Sequence, residues 1–371
     1  MIIGINAINI KSYGGEAHLS NILNNLNDKY FSKKVKRIFV WCSSNLKKKI
    51  KKNIKIIFIT VDTVGIKSFY WNIFTFRKEF KKFNCDIIFL PSGINYNYKC
   101  KSVILFQNLI PFDNNEMIKY GLNFIIVKLY LLNILYKYSL KYSSGVIYLN
   151  KYSKKLIENR YGYKNTNYKI IPHGFSKNFF NTKINKTDKS FNILYVSSID
   201  FYKNHITLFK SLKKLLEIGY AVKLFIVGDY LNKDIQIKID NLIHKDNIFK
   251  KKVIHYKNLK ESNIIRLMGN MDLVCFPSSC ESVGLGLIEG MASHLPVICS
   301  KGSTFIETFK NKEYMFNTYS SEKLAKLIKK LIDDPKERKK LAKSTSKIAK
   351  NYNWQKSSKE TFNFINECYK N

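Results

Sequence analysis

The sequence predicts an α/β protein of two domains, each an open parallel sheet wrapped by helices, on three observations. Short apolar runs rich in isoleucine, valine and phenylalanine alternate with helical patterns. The alternation stops at one polar stretch near the middle of the chain and then restarts. Finally, 371 residues exceed one ordinary core and suit two domains of roughly 150 to 200 residues each. With 45% hydrophobic and 14% aromatic residues there is ample material to bury, which argues against a disordered chain.

In the first half, "IIGIN" (Ile2 to Asn6), "RIFVWC" (Arg37 to Cys42), "IKIIFIT" (Ile54 to Thr60), "DIIFL" (Asp86 to Leu90), "SVILF" (Ser102 to Phe106), "GVIYL" (Gly145 to Leu149) and "YKIIP" (Tyr168 to Pro172) read as strands buried on both faces. Helical segments separate most of them, notably Glu16 to Leu26 and Ile66 to Phe83. The polar run Ser176 to Ser190 lacks periodicity and reads as an interdomain linker. Beyond it come strand "FNILYVS" (Phe191 to Ser197), a helix near Asn204 to Glu217, strand "VKLFIVG" (Val222 to Gly228) and a helix near Lys233 to His244. Strand "KVIHY" (Lys252 to Tyr256), a short helix, strand "DLVCFP" (Asp272 to Pro277), a helix from about Gly284 to Ala292 and strand "PVICS" follow. Helical patterns occupy Ser321 to Lys350 and the terminal stretch from Tyr352 to Lys370. The expected division is a first α/β domain over 1–180, a second over 181–350, and a helix in 351–371 packing back on the first domain. Two such sheets facing each other bring their strands' carboxyl ends to one cleft, the usual ligand position in open α/β sheets.

The formal charge is +37, from 64 basic and 27 acidic residues, and only five of the basic residues are arginine. Much of that lysine reads as solvated surface. A field of this size nevertheless attracts anionic lipid, nucleotide phosphate or nucleic acid. The seven cysteines form no C-x-x-C pair and have no histidine at zinc spacing, so a reducing cytoplasm is the simpler setting. The N-terminal "MIIGINAINIKSYGG" reads as a first strand rather than a signal peptide. The most apolar segment, Phe124 to Leu140, is interrupted by Lys128 and Lys137, which argues against a membrane span.

The stretch "PSSCESVGLGLIEGMASHLPVICS" (Pro277 to Ser300) carries two glutamates, Glu281 and Glu289, and no lysine or arginine. A strand delivers the chain to a glycine-rich turn, and a helix starts near Gly284. Backbone N–H groups of Ser282, Val283 and Gly284 at that helix start favour an anionic group such as a diphosphate. Carboxylates are acceptors only, and an elongated ligand rich in hydroxyls supplies the donors they need. A nucleotide sugar has hydroxyls at both ends and a diphosphate between them. Taken alone, the pair reads more readily as a helix cap, Glu281, and a surface residue, Glu289.

With its PS-x-x-E-x-x-G-L context, this stretch resembles the donor-site signature of the group 1 (family 4) retaining glycosyltransferases. The resemblance extends in layout over nearly the whole chain and implies the GT-B fold, with two facing Rossmann-like domains and a cleft between them. It implies that Glu281 contacts the transferred sugar and Glu289 the ribose hydroxyls. "SYGGEAHL" resembles the glycine-rich loop after the first strand, where Gly14 and Gly15 let backbone approach donor phosphates or acceptor. "SSIDFYKNH" resembles the basic diphosphate-binding segment, with Lys203 matching the family lysine. Three departures stand out. Ser198 replaces an arginine common shortly before that lysine; Gln107 and Asn108 occupy the place of an N-domain histidine; and His294 replaces a glycine. Neither amide can act as a general base at neutral pH. His173, on the acceptor or sugar side with Gln107 and Asn108, and His18 are further cleft candidates, each read more readily as structural.

The reaction so implied is hexosyl transfer from a nucleotide-diphosphate sugar with retention at the anomeric carbon, through an oxocarbenium-like transition state leaving a diphosphate. Lys203 and the amides after Glu281 suit the charge that grows on the leaving group. No acidic D-x-D cluster appears, so neither metal nor cofactor is expected. The expected acceptor is a lipid-linked oligosaccharide or a lipopolysaccharide or surface-polysaccharide precursor, reached from the cytoplasmic side of a membrane. "NLKKKIKKNIK" (Asn45 to Lys55) and Phe124 to Tyr142 are candidate contacts with an anionic membrane surface, and read equally as solvated helix faces. A GT-B sugar-nucleotide epimerase would share the architecture. A nucleic-acid-binding protein would share the charge, but no recognisable nucleic-acid motif accompanies it.

Overall fold

The structure, a computed structural model, describes all residues except 27–34, 97, 122–123, 164–165 and 187. It divides into two compact units. Unit 1 comprises Met1–Met117, Leu122–Gly174 and Asn353–Asn371; unit 2 comprises Ile118–Gly121 and Phe175–Tyr352.

Unit 1 holds β1 (Ile2–Asn6), α1 (Tyr13–Asn24), β2 (Arg37–Cys42), α2 (Ser44–Lys49), β3 (Ile56–Thr60), α3 (Gly65–Tyr70), a π-helical turn (Trp71–Thr75), α4 (Phe76–Lys82), β4 (Ile87–Leu90) and β5 (Ser102–Leu105). It continues through α5 (Asn114–Ile118), α6 (Phe124–Tyr142), β6 (Gly145–Tyr148), α7 (Lys151–Tyr161) and β7 (Tyr168–Ile170). The strands form one parallel seven-stranded sheet in the order β3-β2-β1-β4-β5-β6-β7. Strands β4, β5 and β6 are buried along their whole length, which is why their sequences are unbroken apolar runs rather than alternating ones.

Unit 2 holds β8 (Phe191–Val196), α8 (His205–Glu217), β9 (Val222–Val227), α9 (Lys233–Lys245), β10 (Val253–Tyr256), α10 (Glu261–Met268), β11 (Leu273–Phe276), α11 (Leu285–Ala292), β12 (Val297–Ser300), α12 (Phe305–Thr308) and β13 (Met315–Phe316). Its parallel sheet runs β10-β9-β8-β11-β12-β13. Helices α13 (Ser321–Asp333) and α14 (Pro335–Ala349) close it. On α13 the spacing of Leu324, Leu327, Ile328 and Leu331 makes one buried stripe. Asp334 then caps α14 through the amides of Lys336 and Glu337, and Pro335 occupies the first helical position, where no N–H is needed.

The last helix, α15 (Trp354–Lys370), belongs to unit 1. It buries Phe362, Phe364, Ile365 and Cys368, of which the two phenylalanines and the isoleucine each contribute about 1.5 to 3 kcal/mol if fully transferred from water. Its approach to β6 is close enough that a Cβ on Gly145 would lie 2.4 Å from Cys368 Sγ.

The domain boundary differs from the expected one. After Gly174 the chain leaves unit 1 until it returns at Asn353, and the polar run after Gly174 is packed into unit 2 rather than free as a linker. Phe179, inside a 3-10 turn (Lys177–Asn181), is 1% exposed, Asn185 N–H donates to Gly269 O, and Lys186 pairs with Asp272 at 2.5 Å. Apolar anchors spaced among polar residues carry no period, so the sequence alone reads as coil.

Candidate functional site

In each sheet the strand order reverses once, between β1 and β4 in unit 1 and between β8 and β11 in unit 2. Such reversals open a crevice beyond the strands' carboxyl ends, because the flanking connections leave on opposite faces. Lys203 follows β8 and the Pro277–Gly284 turn follows β11, so the two segments singled out by sequence flank the unit 2 reversal.

After β8 the chain passes Ser198, which brings no charge, and reaches Asp200. That carboxylate accepts the Phe201 N–H at 2.7 Å and the Tyr120 hydroxyl at 2.9 Å, and burial raises its pKa. The turn it caps presents Lys203, and Asn204 then takes a left-handed φ of 53° to start α8. Lys203 Nζ lies 2.6 Å from Glu281 Oε1, with the two side chains 12% and 11% exposed. It also sits 4.8 Å from the Tyr202 ring centroid. Burial opposes the ammonium charge, but Glu281 and the nearby tyrosine oxygens outweigh it and hold the Lys203 pKa above its ordinary value. The same surroundings push the Tyr202 phenol up to about 12, burial first.

Three residues missed by sequence reasoning lock this pair in place. Tyr195, the penultimate residue of β8, donates to Lys203 O at 2.9 Å and meets Ser278 Oγ at 2.7 Å, tying the lysine turn to the glutamate turn. Ser303 accepts the Glu281 N–H through its hydroxyl and donates that hydroxyl to Glu281 O at 2.6 Å. It does so from a left-handed φ of 67°. Lys119 donates to Ser279 Oγ at 2.9 Å from the Ile118–Gly121 segment, which belongs to unit 2 although the chain supplies it from the first half. One lysine among dozens, one tyrosine in a strand and one serine in a loop give no local signal.

Helix α11 begins at Gly284, whose φ of 75° and 2.3 Å approach of Phe305 Cε1 to an added Cβ admit only glycine. No side chain caps this helix, so the amide end flanked by Val283 and Gly284 is available to an anion. Ser282 lies in the same turn and is half-buried. Glu289, one turn into α11, is half-buried and makes no side-chain hydrogen bond or ion pair among the described residues. Burial, and then the like charge of Glu261, raise its pKa to about 7. Glu261 itself accepts from Ser176 Oγ at 2.6 Å and Asn178 Nδ2 at 3.0 Å. The site thus holds one carboxylate locked to a lysine and a second with no donor.

In unit 1, Gly14 and Gly15 lie in the first turn of α1, which starts three residues before the expected Glu16, rather than in a loop. Ser12 caps the helix by accepting the Gly15 N–H at 3.2 Å, and a Cβ on Gly14 would meet nothing within 4 Å. Gln107 donates to Pro91 O at 3.0 Å and lies 3.5 Å from His18 Nδ1. His18 stacks on His173, centroids 4.2 Å apart, and Trp354 lies 5.3 Å from His173. Burial depresses both histidines, His173 to about 3, and the charge of His173 adds to the effect on His18. They are neutral packed rings at pH 7. Asn108 stands apart from this cluster, its side chain accepting the Ile110 N–H at 3.1 Å in a local turn. His294 occupies a left-handed conformation, φ 59°, after α11, where glycine costs least. Among the described residues no three His, Cys, Asp or Glu side chains converge to hold a metal.

The chain is similar in sequence and fold to several known proteins. Protein CapJ of Staphylococcus aureus is 28% identical over 198 residues, covering 53% of this chain and 49% of CapJ. The capsular polysaccharide biosynthesis glycosyltransferase CapM of the same organism is 31% identical over 147 residues, 39% of this chain and 37% of CapM. The chain thus spans half or less of the length of the curated relatives it matches. Among solved structures, a glycosyltransferase from Rickettsia africae matches with a TM-score of 0.74 at 19% identity, covering 100% of this chain and 99% of that one. Anabaena HepE in complex with UDP-glucose matches with a TM-score of 0.72 at 17% identity, covering 98% and 99%. The fold is therefore GT-B, built from two Rossmann-like parallel-sheet domains. Residues 176–348, which contain the Lys203–Glu281 pair, the bare start of α11 and Glu289, match the model of the family glycosyl transferases group 1.

Proposed function

We propose that the chain is a retaining glycosyltransferase of hexosyl type that moves a sugar from a nucleotide-diphosphate donor to a glycan acceptor in surface-polysaccharide synthesis. The observation that carries this reading is the buried Lys203–Glu281 pair beside the uncapped start of α11. The arrangement offers one cation and a set of amides to a diphosphate, and carboxylates on either side to hydroxyls. CapM is described as a capsular polysaccharide glycosyltransferase, and a solved structure matching with a TM-score of 0.71 is WaaG, a glycosyltransferase involved in lipopolysaccharide biosynthesis. These names support a polysaccharide or lipid-linked acceptor here.

In this reading the donor diphosphate takes over the Lys203 ammonium and the α11 amides, and Glu281 turns to the hydroxyls of the transferred sugar. Glu289, without a donor in the free protein, accepts from the ribose. Negative charge grows on the diphosphate as the glycosidic bond breaks, so Lys203 and the helix end act most strongly in the transition state. They supply the positive charge that a metal would otherwise bring, and the reaction is metal-independent. The setting is the cytoplasmic side of an anionic membrane, in keeping with the charge of +37.

The test is binding of UDP and UDP-glucose, followed by other nucleotide sugars, to the wild type and to the Lys203→Ala and Glu281→Gln variants. Lys203→Ala weakens binding of the free diphosphate, whereas Glu281→Gln does not weaken it, because the carboxylate that competes for Lys203 is gone, and alters discrimination among sugars on one nucleotide. The reverse pattern removes the assignment of roles. Conversion of a nucleotide sugar with no acceptor present, to an isomer or a glycal, identifies an epimerase instead.

A further inference from the structure

We propose that one face of unit 1, formed by α3, the π-helical turn, α4 and α6, docks in plane on an anionic lipid bilayer. This deepens the membrane part of the function proposed above and rests on it for its setting.

Topology puts these helices together. The connections from β3 to β4 and from β5 to β6 cross the sheet in the same direction, and right-handed crossovers then lie on one face. The β1–β2 and β2–β3 connections run the other way, so α1 and α2 lie on the opposite face. Packing agrees with this division. Tyr98 meets the Phe76 ring of α4 edge-on at 4.8 Å, and Asn95, three residues earlier, donates its N–H to Ser139 Oγ of α6 at 2.7 Å. On the other face, Ser358 of α15 donates to Ile22 O of α1 at 2.7 Å, and Lys51 N–H donates to Asn24 Oδ1 of α1 at 2.7 Å.

The docking face leaves apolar side chains in water in two helical stripes. Ile66, Tyr70 and Phe74, each four residues after the last, are 75%, 58% and 62% exposed. On α6, Val127, Leu131 and Ile134 are 52%, 58% and 64% exposed, with Phe124 preceding them on the same line. The hydrogen bonds of this face point inward: Asn72 of the π-turn accepts from Asn6 at 2.7 Å and donates to Ser68 O at 2.7 Å.

Charge selects the occupant. α3, the π-turn, α4 and α6 carry eight basic residues and a single acidic one, Glu79. Lys128, Lys137 and Lys141 border the α6 stripe, where their long stems let ammonium groups reach headgroups while the stripe enters the acyl boundary. A second copy of the same face would set these cations against one another, whereas anionic lipid complements them. No helix among the described residues is long and apolar enough to cross a membrane, so the contact lies in the interface. The lysine-rich Asn45 to Lys55 segment, which the sequence offered on equal terms, starts in α2 on the other face with Leu46 and Ile50 buried.

The experiment is flotation of the full chain with vesicles of phosphatidylcholine alone or mixed equally with phosphatidylglycerol. Binding to the mixed vesicles, weakening with salt, is the expected result. Leu131→Asp combined with Ile134→Asp weakens it by about tenfold or more, as does Lys128→Glu combined with Lys137→Glu. Lys47→Glu combined with Lys48→Glu changes it no more than about twofold, since that helix faces away. Equal loss from both lysine pairs, or unchanged binding of the Leu131/Ile134 variant, overturns the proposal. So does a wild-type dimer that this variant dissociates, with no vesicle binding. UDP-glucose binding by the same variants is read in parallel. Retained nucleotide binding with lost vesicle binding supports the docking face. Intact vesicle binding without nucleotide binding in any variant overturns the enzymatic reading and upholds the face.

Discussion

Exchange of partners by the Lys203–Glu281 pair can be tested as a thermodynamic cycle. The two side chains are 12% and 11% exposed and 2.6 Å apart, so removing either partner strands a charge in a poorly solvated site. Breaking such a pair from one side costs about 3 to 5 kcal/mol, whereas replacing both members with groups of similar volume is nearly neutral. Lys203→Met therefore destabilises unit 2 by about 3 kcal/mol or more, and Glu281→Gln by less, because the amide oxygen still accepts from the lysine. The double variant recovers most of the Lys203→Met loss, a coupling of about 2 kcal/mol. All three tryptophans, Trp41, Trp71 and Trp354, lie in unit 1, so tryptophan emission does not follow the relevant unfolding. Far-UV circular dichroism in urea, or hydrogen exchange of β8 and β11 amides, does. A nucleoside diphosphate that captures Lys203 reduces the coupling when present at saturation. Additive single-variant effects would refute the buried pair, and a coupling insensitive to UDP would refute its exchange. In transfer assays Lys203→Met lowers turnover by about a hundredfold to a thousandfold, the range found when one transition-state donor is removed.

Other outcomes follow from named groups. Glu289 has its pKa raised to about 7, and the proposed contact with ribose hydroxyls is strongest for its charged form, so on that proposal nucleotide-sugar affinity rises with pH. UDP-glucose, whose diphosphate diester does not titrate in this range, binds about tenfold more weakly at pH 6 than at pH 8, and Glu289→Gln removes that slope; a flat wild-type profile rejects the assignment. His173 is buried neutral with a pKa of about 3, so the folded state declines protons that the unfolded chain accepts below about pH 6.5. Stability is lost as pH falls, by about 2 kcal/mol between pH 7 and 5 from this residue. Trp354 fluorescence in urea reports it, and a His173→Phe variant with the same pH dependence as wild type would rule it out. His294→Gly relieves a left-handed φ of 59° at an exposed helix end and stabilises unit 2 by about 1 kcal/mol, read as a shift in the urea midpoint.

Unbroken apolar runs mark strands buried on both faces, because a parallel sheet covered by helices has no wet side. The strands and helices of both units, and hence the α/β class, are for that reason legible in the sequence. The strand-to-helix turn at Pro277–Gly284 is equally local: glycine at 284 is required by a positive φ and by Phe305, both consequences of a chain turning sharply off β11. Glu281, Glu289 and Lys203 are visible as residue types in that context. Contacts between segments distant in the chain are not. The ion pair joins residues 78 positions apart, Lys119 reaches Ser279 across 160, and α15 reaches α1 across 336. The same limit applies to the boundary at Gly174, where aperiodic phenylalanines find their pockets only once the sheet exists, and to Gln107 beside a neutral histidine pair while Asn108 turns away. Two lysine-rich helical segments looked alike as sequence; the direction in which each connection crosses the sheet decided which one shares a face with a second apolar stripe. Periodicity records whether a residue meets water or core, whereas its partner across the fold is set by strand order, which no local pattern encodes.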